Sequence, residues 1–177
     1  LLDKLRRHEL QITSDMVDVL LQSGDALKAQ LARHQGNGAD PIDTADLLRA
    51  KLAIGLHRNV EVTDGSGRRV SQVYCSALPV GYSTLPRKEW EPFARLVLQA
   101  SYEAVMLAAV EQASGGGSNT VLLTRIGGGV FRNRDAWIDD AIERAMLIAR
   151  DAGLDIVHVA HGRVTPGIQA IVDRYGN

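Results

Sequence analysis

The spacing of apolar positions changes near residue 57, and the elements it predicts change with it. Across residues 13–34, Val17, Leu20, Leu21, Leu27 and Leu31 recur at helical spacing behind the capping residues Thr13 and Ser14. Residues 1–7 read as the end of an earlier helix, and Asp43 caps a third that carries Leu47, Leu48 and Leu52. The first third is thus predicted to be amphipathic helices whose apolar stripe needs a partner. Residues 59–63 instead alternate like a half-buried strand, 64–67 form a turn, and 71–78 read as a second strand broken by Pro79. After a loop over 80–85, a helix is predicted from 86–89 to 112, with Pro92 in its first turn. Its apolar positions, from Trp90 and Phe93 through Leu96, Val97 and Val105 to Leu107 and Ala108, cover much of its circumference and predict a largely buried helix.

The most informative stretch follows. Residues 119–126 are apolar and β-branched, and predict a buried strand. Gly127-Gly128-Gly129-Val130-Phe131 comes next, then a helix starting near Asn133. That helix carries Trp137, Ile138, Ala141, Ile142, Ala145, Met146, Ile148 and Ala149 at helical spacing. Asn133 is its expected N-cap, and Asp135 places negative charge in its first turn. Residues 154–160 form a second strand. A strand, glycine loop, helix and strand in that order can build an anion site. Glycines let the backbone approach a ligand without Cβ clashes. Free N–H groups at the loop and helix start point into one space, at the carboxyl end of the strand. The plainer reading is that the glycines only close a tight turn.

Charge and composition narrow the classes. With 20 Lys+Arg against 21 Asp+Glu, the net charge is −1, so no excess of positive charge recruits nucleic acid or a membrane surface. No apolar run is read as a membrane span and no signal peptide is recognised. The single Cys75 cannot form an internal disulfide and fits a reducing, cytoplasmic setting. Leu1 at the start points to a fragment or processed product. No metal cluster is expected: His158 and His161 are three apart and point to opposite faces. Cys75 reads as a small core residue. Ser76 and Ser83 lie at a strand end but not in a Gly-x-Ser-x-Gly elbow. Asp139 and Asp140 are expected to face solvent, and packing accounts for Trp90 and Trp137.

Two resemblances rest on these residues. Leu1-Leu2-Asp3-Lys4-Leu5-Arg6-Arg7, Leu10-Gln11-Ile12-Thr13-Ser14-Asp15-Met16-Val17-Asp18-Val19-Leu20-Leu21 and Asp25-Ala26-Leu27 resemble the later helices of the histidine-phosphotransfer domain of bacterial chemotaxis sensor kinases. That family's phosphorylated histidine lies in a His-x-x-Lys-Gly pattern on an earlier helix, and this chain has no such pattern. Residues 57–162, and Gly127-Gly128-Gly129-Val130-Phe131 above all, resemble the later half of a macro domain, the ADP-ribose-binding α/β fold. The resemblance implies that Gly128, Gly129, Val130 and Phe131 wrap a diphosphate with backbone N–H groups, with the ring of Phe131 beside the distal ribose. Where the family often continues with glycine this chain has Arg132 and Asn133; Arg132 either adds a phosphate contact or is solvated. The family's Asn-rich loop, second phosphate loop and acidic adenine contact are not found between His57 and Asn119.

The expected fold is therefore mixed α/β. Residues 1–50 form a helical, phosphotransfer-like remnant, and residues 57–177 an incomplete, macro-domain-like three-layer α/β sheet. The expected function is binding of ADP-ribose or a related phosphorylated nucleotide through Gly127, Gly128, Gly129, Val130, Phe131, Arg132 and Asn133. The groups that would position a water for hydrolysis are missing. No cofactor is expected beyond such a ligand, and no nucleic acid or membrane partner. The uncovered helical stripe predicts self-association. The rival readings are a chemotaxis signalling module without its phospho-accepting histidine, and a chimeric fragment with no function of its own.

Overall fold

The chain divides between Leu52 and Ala53, and the computed structural model describes residues 53–176. The helices expected within residues 1–52, their apolar stripe and the phosphotransfer resemblance lie outside the described residues.

The described part is mixed α/β. Strand β1 (Gly55–Glu61) pairs antiparallel with β2 (Arg69–Tyr74). Helix α1 (Arg87–Ser114) leads to β3 (Thr120–Thr124), helix α2 (Asp135–Ile148) to β4 (Asp155–Val159), and helix α3 (Pro166–Tyr175) closes the region. β3 and β4 are parallel, in register from Thr120 beside Asp155 to Thr124 beside Val159. The four strands form two separate two-stranded sheets, where the sequence predicts one three-layer sheet. β2 and β3 do not hydrogen-bond to each other, and a cavity lined by both lies between them.

Several boundaries differ from the sequence expectation, each for a tertiary reason. The first strand begins earlier, at Gly55, and its pairing slips between His57 and Val60, where Asn59 takes a left-handed φ of 54°. β2 stops at Tyr74 instead of running to Leu78, because other elements claim the carbonyls beyond it. Ser101 Oγ donates to Ser76 O at 3.2 Å, and Asn133 Nδ2 donates to Leu78 O at 2.8 Å. Pro92 falls in the second turn of α1, where the carbonyl of exposed Lys88 goes without its helical donor. The sequence expectation ends with the strand over 154–160 and omits α3 altogether. Thr165 caps it, with Oγ1 accepting from the Ile168 N–H, and Pro166 opens it.

The core forms where α1 packs on α2, with α3 beside α2. Leu98, Tyr102, Met106, Trp137, Ile138, Ile142 and Ile168 are its largest fully buried side chains. The burial of α1 is narrower than expected: Trp90, Phe93 and Val105 are half-buried and Leu107 is exposed. Helix α2 covers only one side of it. Ile148 is likewise exposed, since it lies at the edge of the buried stripe, where Ala149, four residues after Ala145, faces inward instead. By length and composition α1 could cross a bilayer, contrary to the sequence reading; here it carries the main helix–helix contact, flanked by ion pairs of Arg95 with Asp140 and Arg144 with Glu103. On β3 burial alternates, with Val121 and Leu123 inward and Leu122 outward, so one face of β3 and β4 presents Leu122, Val157 and Val159 to solvent.

Candidate functional site

The carboxyl end of β3 is anchored before the glycines begin. Tyr102 Oη donates to Thr124 O at 3.0 Å and accepts from the Ile126 N–H at 2.8 Å. Burial pushes the Tyr102 phenol well above its ordinary range, so it stays a neutral donor.

The next residue has to be glycine. Gly127 has φ 83°, and a Cβ there would lie 2.5 Å from Ala77 Cβ. Its carbonyl accepts from the Asn133 N–H at 3.0 Å and from Asn133 Nδ2 at 3.0 Å. Asn133 is buried, and through Nδ2 it also reaches Leu78 O. It is a brace between two loops rather than the N-cap; Arg134 occupies the cap position of α2, without a side-chain cap bond.

Between these anchors the chain makes a 3-10 turn, Gly129–Phe131. The Phe131 N–H donates to Gly128 O at 3.3 Å and the Arg132 N–H to Gly129 O at 3.1 Å. Among the described residues, the N–H groups of Gly128, Gly129 and Val130 have no acceptor. Space lies beside them: a Cβ on Gly129 would meet nothing within 4 Å, and one on Gly128 only Ile138 Cδ1 at 3.9 Å. The loop thus offers successive uncharged donors on an open surface.

A second loop packs beside it. A Cβ on Gly81 would lie 2.5 Å from Val130 O and 2.9 Å from Arg132 Cγ, so the 3-10 turn Val80–Tyr82 sits directly against the glycine loop. Tyr82, which the sequence reading missed, meets Phe131 edge-on at 6.0 Å between centroids. Both are reachable from solvent; Tyr82 is 71% exposed. The only sequence signal for Tyr82 was its place in a loop after a strand.

The expected site residues therefore divide. Gly128, Gly129, Val130, Phe131 and Arg132 gather on one surface, with Gly127 and Asn133 beneath them as support. The Arg132 stem lies over Gly81.

A charged cluster lies on the same strand end. Arg125 Nη2 contacts Asp135 Oδ1 at 3.1 Å and Asp139 Oδ1 at 2.9 Å. Asp139 is 16% exposed, contrary to the solvent-facing position expected from helical spacing. Burial outweighs the Arg125 charge and raises its carboxyl above the ordinary range. His158 projects on the same face as Leu123, its neighbour across β3 and β4; neither ring nitrogen has a partner among the described residues. Burial, and then the Arg125 charge, depress its pKa, with Asp139 opposing. His161 is exposed. Cys75 is half-buried, and burial pushes its thiol up, away from the reactive thiolate.

No family model, curated protein or solved structure matches this chain.

The arrangement by itself can bind an anion with backbone donors and hold a flat group against two aromatic rings. The nearby charges are turned to bracing the fold: Arg125 is held by two carboxylates, and Asp140 by Arg95.

Proposed function

We propose that residues 127–132 bind ADP-ribose or a related phosphorylated nucleotide in the cytoplasm, with no catalytic group assigned. One observation carries the reading: three adjoining N–H groups lack acceptors on an open glycine surface next to the Tyr82 and Phe131 rings. The diphosphate would lie along Gly128, Gly129 and Val130, where fixed donors favour negative charge without a cationic side chain. The sugar would lie against Phe131. The resemblance of Gly127-Gly128-Gly129-Val130-Phe131 to the macro-domain phosphate loop supports the same ligand, and the fold class supports it at the level of mixed α/β.

Calorimetry with ADP-ribose, ATP and inorganic phosphate tests this. ADP-ribose is expected to bind, Phe131→Ala to weaken it more than phosphate, and Val130→Ala to leave it unchanged. Removing Arg132 separates a side-chain clamp, which would give a large loss, from a backbone nest, which would give none. No binding by the parent chain at millimolar ADP-ribose would leave the glycines as a tight turn.

A further inference from the structure

A cleft of about 500 Å³ separates β2 from β3. All five residues of β3 line it, as do Arg69, Val70 and Ser71 in succession on β2. Consecutive residues of a strand point to alternate faces, so a cavity that touches every one of them lies against the strand's edge. Each wall is such an edge: among the described residues β2 pairs only with β1 and β3 only with β4. The floor is one stripe of α1, with Tyr102, Val105, Ala109 and Gln112 at helical spacing. The two walls run in the same direction. Their carboxyl ends meet at adjoining residues of α1, where Ser101 Oγ donates to Ser76 O and Tyr102 Oη donates to Thr124 O. A strand, a crossover helix and a parallel strand are present, yet a cleft replaces the expected pairing.

We propose that this cleft binds an extended peptide segment as an added strand, joining the two sheets into one of five strands. Unpaired strand edges carry a row of backbone donors and acceptors that another strand satisfies. Here two such edges face one opening, and an inserted strand would bond to both. The lining defines the occupant. Arg69 is its one charged side chain among the described residues, at the end of the cleft where both strands begin, and its contact with Glu61 is loose at 4.0 Å. The segment is therefore uncharged along its length, with an acidic residue at the Arg69 end. Its floor-facing positions are apolar and modest in size, against Val105 and Ala109.

The test uses the full chain and the capped hexapeptide acetyl-Asp-Val-Thr-Val-Thr-Val-amide, followed by amide hydrogen exchange. At about 1 mM peptide, exchange should slow by about tenfold in both β2 and β3, because paired amides exchange only on opening. The same peptide N-methylated at its Val and Thr residues, which blocks both of its edges, should give no slowing, which needs no protein variant. Ala109→Phe, which fills the floor, should also remove the effect. Slowing in neither strand, or in only one, would overturn the proposal, as would equal slowing by the N-methylated peptide. Cleft-facing amides already protected without peptide would overturn it too, since the opening would then be occupied by this chain or a second copy.

Discussion

Two regions at the end of β3 handle charge in opposite ways. Arg125 turns inward, and its guanidinium is held by Asp135 and Asp139 beside the His158 ring, which has no partner among the described residues. The glycine loop begins two residues later and turns outward with no charged group but the Arg132 side chain. The first region commits its charges to the fold, where the low exposure of Arg125 and Asp139 makes that pair costly to separate. The second keeps only backbone dipoles, which are rigid and uncommitted. The open backbone donors and the structural brace thus lie close along the chain, and variants should separate their effects.

The largest effect is expected on the inward side. Arg125→Met leaves the Asp139 carboxylate buried without its partner, and should lower stability by about 3 kcal/mol. Urea denaturation measures this; a loss below about 1 kcal/mol would place the cluster with weak surface pairs and remove the contrast.

Asn133→Ala lies between the two regions. It removes both side-chain bonds of the brace, to Leu78 O and Gly127 O, and should cost about 2 kcal/mol, since Leu78 O loses this donor and Gly127 O keeps only the Asn133 N–H. It should also weaken ADP-ribose, because Gly127 and Leu78 are then no longer tied through one side chain. A variant that binds normally would show that the loop holds its shape without the brace.

Gly128→Glu probes the outward side alone. Gly128 has an ordinary negative φ of −71° and open space beside it, so stability should change by no more than about 0.5 kcal/mol. The new carboxylate would repel a diphosphate, with an affinity loss of about 1.4 kcal/mol, or tenfold. Unchanged affinity by calorimetry would move the ligand off this loop.

The smallest effect concerns pH. The pKa of His158 is depressed in the fold, so the unfolded chain binds the proton more readily. Stability from this group is complete above the unfolded value of about 6.5 and declines as pH falls below it. The raised pKa of Asp139 acts the other way, favouring the fold as pH falls toward the ordinary carboxylate range. Denaturation midpoints between pH 7 and pH 5 should fall in the parent and fall less in His158→Gln; equal slopes would show that the ring is solvated.

Much of this was legible in residue order. Glycine at Gly127, an apolar β-branched run before it and helical spacing after it specify a strand, a loop and a helix through local sterics and period. Thr165 and Pro166 carry an equally local helix signal. Tyr82 had no such signal, because its meaning comes from Phe131, which is distant in sequence.

The sequence by itself determined where the chain turns, which segments are helix or strand, and that the loop after β3 could present backbone donors. These follow from propensities and spacings acting over a few residues. Only the tertiary structure decided that β2 ends at Tyr74, that Asn133 braces two loops, that Asp139 is buried on Arg125, and that β2 and β3 stand apart. In each case the deciding partner is distant along the chain. A buried amide, carboxylate or strand edge is defined by whatever satisfies its hydrogen bonds, and no local pattern names that group.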